Sequence, residues 1–188
     1  MGANEPRAEL IGRWQRGDPA AFEVLVRQWE GPMGRFLFRM TRSVETARDL
    51  TQDLFAKVYA ARHTYRDRGH FSTWIYRVAL NLARDEARRN KRAMEPYPEA
   101  ELAGDEPPGD GWAERNETVA AVAAALNDLS PPLKEVLVLR HYEDFSFEEM
   151  ARLLETPAST LKSRFAVALR QLADRLAARG LRPEEELT

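Results

Sequence analysis

The chain has 188 residues, no cysteine and a formal net charge of −2. The lack of cysteine excludes disulfides, thiolate zinc sites and cysteine nucleophiles. No segment approaches the roughly 18 apolar residues of a membrane span, and the first ten residues lack the apolar core of a secretion signal, so we expect a cytoplasmic protein without membrane insertion.

Helical patterns begin near the start of the chain. Residues 6–16 predict a short helix, and Asp18 followed by Pro19 predicts the capped start of a second helix, which Pro32 should kink or break. Ser43 is expected to cap a third helix. The inward face of that helix is predicted to consist of Ala47, Leu50, Leu54 and Val58.

A loop and a basic helix complete the first half. His63 to Phe71 predicts a loop, and Ser72 is expected to cap a helix from Thr73 to about Arg92. The buried stripe of this helix is predicted to consist of Trp74, Ile75, Val78 and Leu82. Residues 1–92 carry 18 basic and 11 acidic side chains, so local basic patches can attract a polyanion although the net charge is near zero.

An acidic segment follows. Residues 93–117 carry 1 basic and 8 acidic side chains, and Pro and Gly recur between 94 and 111. Such a composition cannot build a hydrophobic core and predicts a flexible linker.

The stretch from Ser130 to Leu176 predicts a helix-turn-helix. Helix resumes near Trp112 to Asp128, and Ser130-Pro-Pro opens a further helix. Phe147 to Leu154 is short and amphipathic, and Pro157, with Thr156 as N-cap, starts a longer basic helix. Such a pair can lay a helix in a DNA major groove, although an ordinary helical hairpin has the same pattern.

No strand pattern occurs in the chain. We therefore predict an all-α fold of two small helical domains, residues 1–92 and 113–180. A flexible acidic linker, 93–112, is expected to join them, with a tail at 181–188.

Enzyme motifs are absent: there is no glycine-rich phosphate loop, no HExxH and no Gly-x-Ser-x-Gly. His63 and His70 share a loop with Asp67, but their spacing matches no helical ligand pair, and we expect neither a metal nor another cofactor. An all-α metalloenzyme using both histidines is the competing interpretation, which metal analysis of the purified protein would test.

Aromatic and arginine side chains alternate around the predicted loop. They are Tyr65, His70, Phe71, Trp74 and Tyr76 among Arg62, Arg66, Arg68 and Arg77. An aromatic ring can stack on an unpaired base while a guanidinium holds the phosphate, so this segment favours a single-strand DNA pocket. Trp74 is more simply interpreted as a core residue.

Six segments resemble a bacterial sigma factor. Three segments resemble region 2 of that family: Asp18–Phe22, Ala47–Phe55 and Phe71–Ala83. Three others resemble region 4: Leu129–Arg140, Phe145–Ala151 and Thr160–Arg164. Their order, with only a linker between them, resembles the extracytoplasmic-function group, the smallest sigma factors.

The resemblance implies a non-catalytic promoter-specificity subunit. It implies binding to core RNA polymerase, through the β′ clamp helices and the β flap, to promoter DNA and to an anti-sigma factor. A stand-alone helix-turn-helix regulator is the alternative, but such a protein would have no use for a strand-opening segment.

Matching positions assign three sets of residues. The resemblance implies core docking by Asp49, Gln52, Asp53 and Phe55. It implies minus-ten recognition, with one base flipped out, by His63, Tyr65, Arg66, Phe71, Arg77, Asn81, Arg84 and Arg88. It implies minus-thirty-five contacts by Ser159, Thr160, Lys162, Ser163, Arg164 and Arg170.

The chain departs from the family pattern at the helix-turn-helix. Glu155 stands where the family commonly has Gly, which predicts a strained or differently closed turn. Val167 and Leu169 stand where the family often shows Arg-x-Arg, so the family's sequence preference does not carry over. The acidic linker could mimic nucleic acid in the polymerase cleft, or serve only as a solvated tether.

Overall fold

The structure is a computed structural model that describes residues 6–66, 70–93 and 121–179. Its helices in chain order are α1 (Ala8–Gln15), α2 (Pro19–Thr41), α3 (Val44–Ala60), a 3-10 turn (Ala61–His63), α4 (Phe71–Ala93), α5 (121–127), α6 (Pro131–His141), α7 (Phe147–Leu154) and α8 (Ala158–Ala178). No strand occurs within these ranges, which confirms the predicted all-α class. Among the helices described, none has the length and apolarity to cross a membrane.

Two predicted N-caps are confirmed. The Asp18 carboxylate accepts hydrogen bonds from the backbone N–H groups of Ala20 at 2.9 Å and Ala21 at 3.3 Å. The Ser43 hydroxyl oxygen accepts from the N–H of Thr46 at 3.1 Å. These bonds satisfy donors that have no partner within the helix, and so fix where α2 and α3 begin.

Helix α2 runs without a break through Pro32, so of the predicted kink or break, the break is wrong. Burial explains the continuity, because Trp29 before the proline and Met33 and Phe36 after it all lie in the core. Gly31 also precedes the proline and has no Cβ to clash with its ring. The helix loses one hydrogen bond and keeps a long apolar face.

Helix α4 begins at Phe71, two residues before the predicted start, so Ser72 lies inside the first turn and does not cap the helix. Phe71 is fully buried, with its ring 5.9 Å from those of Trp14 and Trp29. The buried surface of α4 is also broader than the predicted stripe, since it includes Tyr76 and Leu80. Helix α4 is central: it packs against α2, α3 and α7.

The predicted limits of α7 are confirmed, and a capping box between Ser146 and Glu149 starts the helix. The predicted Thr156 cap of α8 is wrong. The Thr156 hydroxyl donates to the carbonyl of Leu154 at 3.1 Å, and the carbonyl of Pro157 accepts the first helical bond, from Leu161. The start of α8 therefore moves one residue along the chain.

The two halves of the chain share one hydrophobic core. Phe145, Met150 and Leu153 from the second half belong to the same buried cluster as α2 and α4. A smaller cluster holds α5, α6 and α8 together through Leu126, Leu129, Leu133, Leu137 and Ala168. The predicted linker, apart from Ala93, and the predicted tail lie outside the described residues, and the domain limits remain predictions.

Candidate nucleic-acid and polymerase interfaces

Helix α3 presents an open polar face. Asp49, Gln52 and Asp53 are exposed, as the helical pattern predicts, while Phe55 at the edge of this face is half-buried. The opposite face is buried and consists of Ala47, Leu50, Leu54 and Val58. Two carboxylates and an amide on one exposed stripe can accept hydrogen bonds and ion pairs from a basic protein partner.

A cleft of about 450 Å³ lies beside the 3-10 turn and the first turns of α4. It is lined by Ala61, Thr64, Tyr65, Arg66, His70, Thr73, Trp74, Arg77 and Arg152. Aromatic surface and guanidinium groups thus meet in one concave site, which is the chemistry that an unpaired nucleotide requires. His63, although exposed, lies outside this lining.

Some aromatic residues near the cleft line it, whereas others lie beneath its surface and support it. Phe71 is 0% exposed, so the predicted contact between Phe71 and a base is wrong for this conformation. Its ring lies 5.5 Å from that of Trp74, which is only partly buried and lines the cleft. Tyr65 is largely buried but still borders the cleft. Trp74, interpreted from the sequence as core, is therefore the aromatic surface that the prediction missed.

Four polar residues follow one face of α4, here called the α4 polar face: Arg77, Asn81, Arg84 and Arg88. Their spacing of three or four residues places them side by side along the helix. Asn81 and Arg88 are exposed, and Arg88 pairs with Asp85 one turn away. The other two arginines are held by the second half of the chain.

Glu135 of α6 holds Arg84. The Arg84 guanidinium donates two hydrogen bonds to the Glu135 carboxylate, at 2.7 and 2.6 Å, in bidentate geometry. Only 7% of the Glu135 side chain is exposed, and its hydrogen bonds raise the pKa of Arg84. Arg77 donates to the carbonyl of Arg152 and lies 3.6 Å from the Glu155 carboxylate.

Further polar contacts join the two halves near α2. Glu143 accepts hydrogen bonds from the Tyr76 hydroxyl and from Arg39, the latter at 3.2 Å. Burial raises the pKa of Glu143. The Lys134 ammonium donates to the carbonyl of Met40 at 2.9 Å, and burial lowers the pKa of Lys134 to about 8. These contacts add to those of Arg84 and Arg77, which partly cover the α4 polar face, and the linear pattern revealed none of them.

Helix α8 follows the turn at Glu155, which adopts the left-handed conformation with φ 52° and ψ 41°. This is the conformation that a glycine takes without strain, and a residue with a Cβ takes it at a cost of about 1–2 kcal/mol. The strain predicted for the turn of the helix-turn-helix therefore lies in the backbone of Glu155.

The outer surface of α8 is polar near its start. Ser159, Lys162, Ser163 and Arg170 are exposed, whereas Thr160 and Arg164 are half-buried. Leu161 and Ala168 form the buried side of the helix. The exposed face also carries two large apolar residues, Val167 and Leu169.

The described residues contain no cluster of three potential metal ligands. His63 and His70 are both exposed, and Asp67 between them lies outside the described residues.

Comparison with known families matches both halves of the chain. The family described as Sigma-70 region 2 matches residues 25–93, and the family described as Sigma-70, region 4 matches residues 120–172. The first match includes α3, α4 and the cleft residues other than Arg152, and the second includes Arg152 and most of the helix-turn-helix.

Curated relatives match almost the whole chain. The RNA polymerase sigma-H factor of Pseudomonas aeruginosa is 31% identical over 87% of this chain and 90% of its own length. The ECF RNA polymerase sigma-E factor of Haemophilus influenzae is 28% identical over 89% and 93%. The fold is similar to that of the sigma factor RpoE, solved in complex with the anti-sigma factor NepR from Bartonella quintana. That match has a TM-score of 0.69 and 20% identity over 83% of this chain and 96% of the other.

Proposed function

We infer that three separate surfaces carry the function of this chain, which belongs to the extracytoplasmic-function group of RNA polymerase sigma factors. As a member of that family it binds core RNA polymerase and directs promoter recognition and transcription initiation. The proposal concerns which residues make these contacts. The observation that carries it is the cleft at the start of α4, where an aromatic ring and two arginines of the first half converge.

The cleft takes a flipped base of the non-template strand at the minus-ten element. Trp74 offers an aromatic face for stacking, and Arg66 and Arg77 supply positive charge beside it. Unstacking a base costs a few kcal/mol, which stacking and phosphate contacts in the cleft offset. The chain thereby favours melted DNA over the duplex.

The α4 polar face extends this site along the strand. Asn81 has both a donor and an acceptor for a base edge, so it can contribute sequence discrimination. Arg84 and Arg88 would hold phosphates, which fixes the position of the strand without reading its sequence. His63 and Tyr65 flank the cleft from the preceding turn and loop.

Helix α8 binds the major groove of the minus-thirty-five element. Its exposed residues Ser159, Lys162 and Ser163 lie near the N-terminus of the helix, where recognition helices contact base edges. The half-buried Thr160 and Arg164, with Arg170 further along, complete this surface. Free N–H groups of the first turn can also bind a phosphate.

The polar face of α3 docks on the β′ clamp helices of core polymerase through Asp49, Gln52, Asp53 and the edge of Phe55. Asp49, Gln52 and Asp53 are exposed with the two halves packed together, so this surface is open while the α4 polar face is partly covered. A contact of region 4 with the β flap completes the binding to core.

Binding to a whole promoter requires the two halves to separate. The two promoter elements lie about 25 base pairs apart, roughly 85 Å of B-DNA at 3.4 Å per base pair. Helices α4 and α7 are in direct contact in this structure, so the packed halves cannot reach both elements. The predicted linker, residues 93–112, could span about 65–70 Å if fully extended, and the dimensions of the two folded halves cover the remaining distance.

We further propose a cytoplasmic location, no catalytic activity of its own and an anti-sigma partner, as the fold neighbour from Bartonella has. The acidic residues of 93–117 would contribute to binding in the basic cleft of polymerase. Neutralising these acidic residues should then weaken the affinity for core polymerase or change the amount of abortive initiation. If both are unchanged, the segment serves only as a tether.

The test is reconstitution with core polymerase and a promoter library, with run-off transcription as the readout. Specific transcripts are expected only when the chain is present. Asp53→Lys should weaken core binding, whereas Glu23→Lys, on an exposed part of α2, serves as the matched charge control. Failure of the chain to bind core would refute the assignment of α3.

A further inference from the structure

Two large apolar side chains are exposed on the helix that enters DNA. Val167 is 39% exposed and Leu169 is 46% exposed, although Leu161 and Ala168 of the same helix are completely buried. A polar residue at either position would solvate better. A valine on a DNA-binding face gains free energy from binding only if it contacts an apolar group of the DNA.

Helical geometry places the two residues on different sides of α8. Val167 follows Ser163 by four residues and precedes Arg170 by three, so it lies between two residues of the proposed DNA surface. At 100° per residue, Leu169 points about 160° away from Val167 around the helix axis. Leu169 instead lies in line with Lys162, seven residues before it, and cannot contact the same base edge as Val167.

The position along the axis also fits. Ser159 and Val167 are eight residues apart, about 12 Å at 1.5 Å per residue, which is close to the width of the major groove. Val167 thus falls within the groove when the start of α8 contacts base edges. The adjacent Ala166 is also exposed and adds a second apolar surface.

The major groove has one apolar group on its base edges, the 5-methyl group of thymine. Facing any other base edge, the isopropyl group of Val167 would remove water from donors and acceptors without replacing their hydrogen bonds. Facing a thymine methyl, it buries apolar surface on both sides. Arginine, which the family often has here, would instead select guanine.

We propose that Val167 makes recognition of the minus-thirty-five element depend on a thymine 5-methyl group. This inference rests on the proposed entry of α8 into the major groove. It deepens that proposal by naming the base and the atom that the helix reads. Burial of one methyl group corresponds to about fourfold in affinity, which is the expected size of the effect.

The test replaces thymine by uracil, which removes only the methyl group. Reconstituted holoenzyme first selects a minus-thirty-five element from a duplex library randomised over that element. Each thymine of the selected element is then replaced by uracil in turn, and holoenzyme binding is measured by competition. At least one replacement should weaken binding about fourfold for the natural chain.

Variants assign the effect to a residue. In Val167→Ala holoenzyme the same uracil replacement should change binding less than 1.5-fold, whereas Leu169→Ala should keep the full effect. Helix content measured by circular dichroism checks that both variants fold. The replacement in the natural chain tests the methyl dependence even if a variant fails to fold.

The possible failures are distinguishable. If holoenzyme selects no element at all, the proposed entry of α8 into DNA is wrong. If it selects an element that lacks thymine, or if uracil has no effect in the natural chain, only the role of Val167 is overturned. An equal uracil effect in the natural chain and in Val167→Ala overturns it as well.

Discussion

Replacing Glu135 by glutamine should release the second half of the chain from the α4 polar face. Glu135 is 5% exposed and binds Arg84 through two hydrogen bonds of 2.7 and 2.6 Å. Hydrogen bonds to a charged group contribute about 1.5–3 kcal/mol to stability. Glutamine keeps one acceptor oxygen but loses the charge, so the equilibrium between packed and separated halves should shift about 10- to 150-fold toward separation.

Fluorescence energy transfer between labelled cysteines measures that shift. The chain has no cysteine, so Ala60→Cys and Ala173→Cys, both at exposed positions in opposite halves, give a unique label pair. Because apolar contacts also hold the halves together, transfer is followed through a urea titration, and it should be lost at a lower urea concentration in Glu135→Gln. Glu148→Gln, which neutralises an exposed carboxylate on α7, is the matched control and should leave that concentration unchanged.

Comparison with Arg84→Ala separates release from DNA binding. Both variants remove the same contact between the halves, so both should lower the urea concentration at which transfer is lost. Only Glu135→Gln retains the guanidinium, so it should bind minus-ten single-stranded DNA more tightly than the natural chain, whereas Arg84→Ala should bind it more weakly. An unchanged transition in Glu135→Gln, or an equal shift in Glu148→Gln, would refute the reasoning.

Three further predictions concern single residues. Asn81→Ala should lower open-complex formation much more than core binding, measured by permanganate footprinting and by core titration, and an equal loss of both would make Asn81 structural. Glu155→Gly should raise the free energy of unfolding by about 1 kcal/mol in urea, because it removes the left-handed strain. Burial lowers the pKa of Lys134 to about 8, against 10.5 when exposed, so the unfolded state binds more protons between those values and the free energy of unfolding should rise by about 2 kcal/mol from pH 8 to pH 10. Lys134→Met should abolish that rise, measured by urea unfolding at pH 8 and 10, and an identical rise in both proteins would exclude Lys134 as its source.

The sequence predicted the helices well where the signal is local. Asp18 and Ser43 act on N–H groups two or three residues away, and α7 is bounded by a capping box. Spacing alone also separated the polar and buried faces of α3. The failure at Pro32 has a different origin, because tertiary burial on both sides of the proline outweighs the one lost hydrogen bond.

The candidate site was harder to predict because its geometry is not local. Periodicity placed Phe71 and Trp74 near one apolar stripe, but only the packing of Trp14 and Trp29 decides that Phe71 is buried and Trp74 lines the cleft. Likewise Arg84 and Glu135 are 51 residues apart. Nothing in the local pattern of either helix indicates that the arginine assigned to DNA also binds a carboxylate of the same chain.

That double use of Arg84 and Arg77 determines what must drive the separation of the halves. When DNA displaces Glu135 and Glu155, each guanidinium exchanges a carboxylate for a phosphate, so the exchange itself yields little net free energy. Separation also breaks the apolar contact between the halves, in which the Phe145 ring lies 5.0 Å from that of Tyr76, and burial of one large apolar side chain contributes about 1.5–3 kcal/mol. Promoter DNA alone therefore cannot offset the loss. Core polymerase, for which we propose docking on the open face of α3, has to supply the difference, and DNA binding should consequently be much stronger for the holoenzyme than for the free chain.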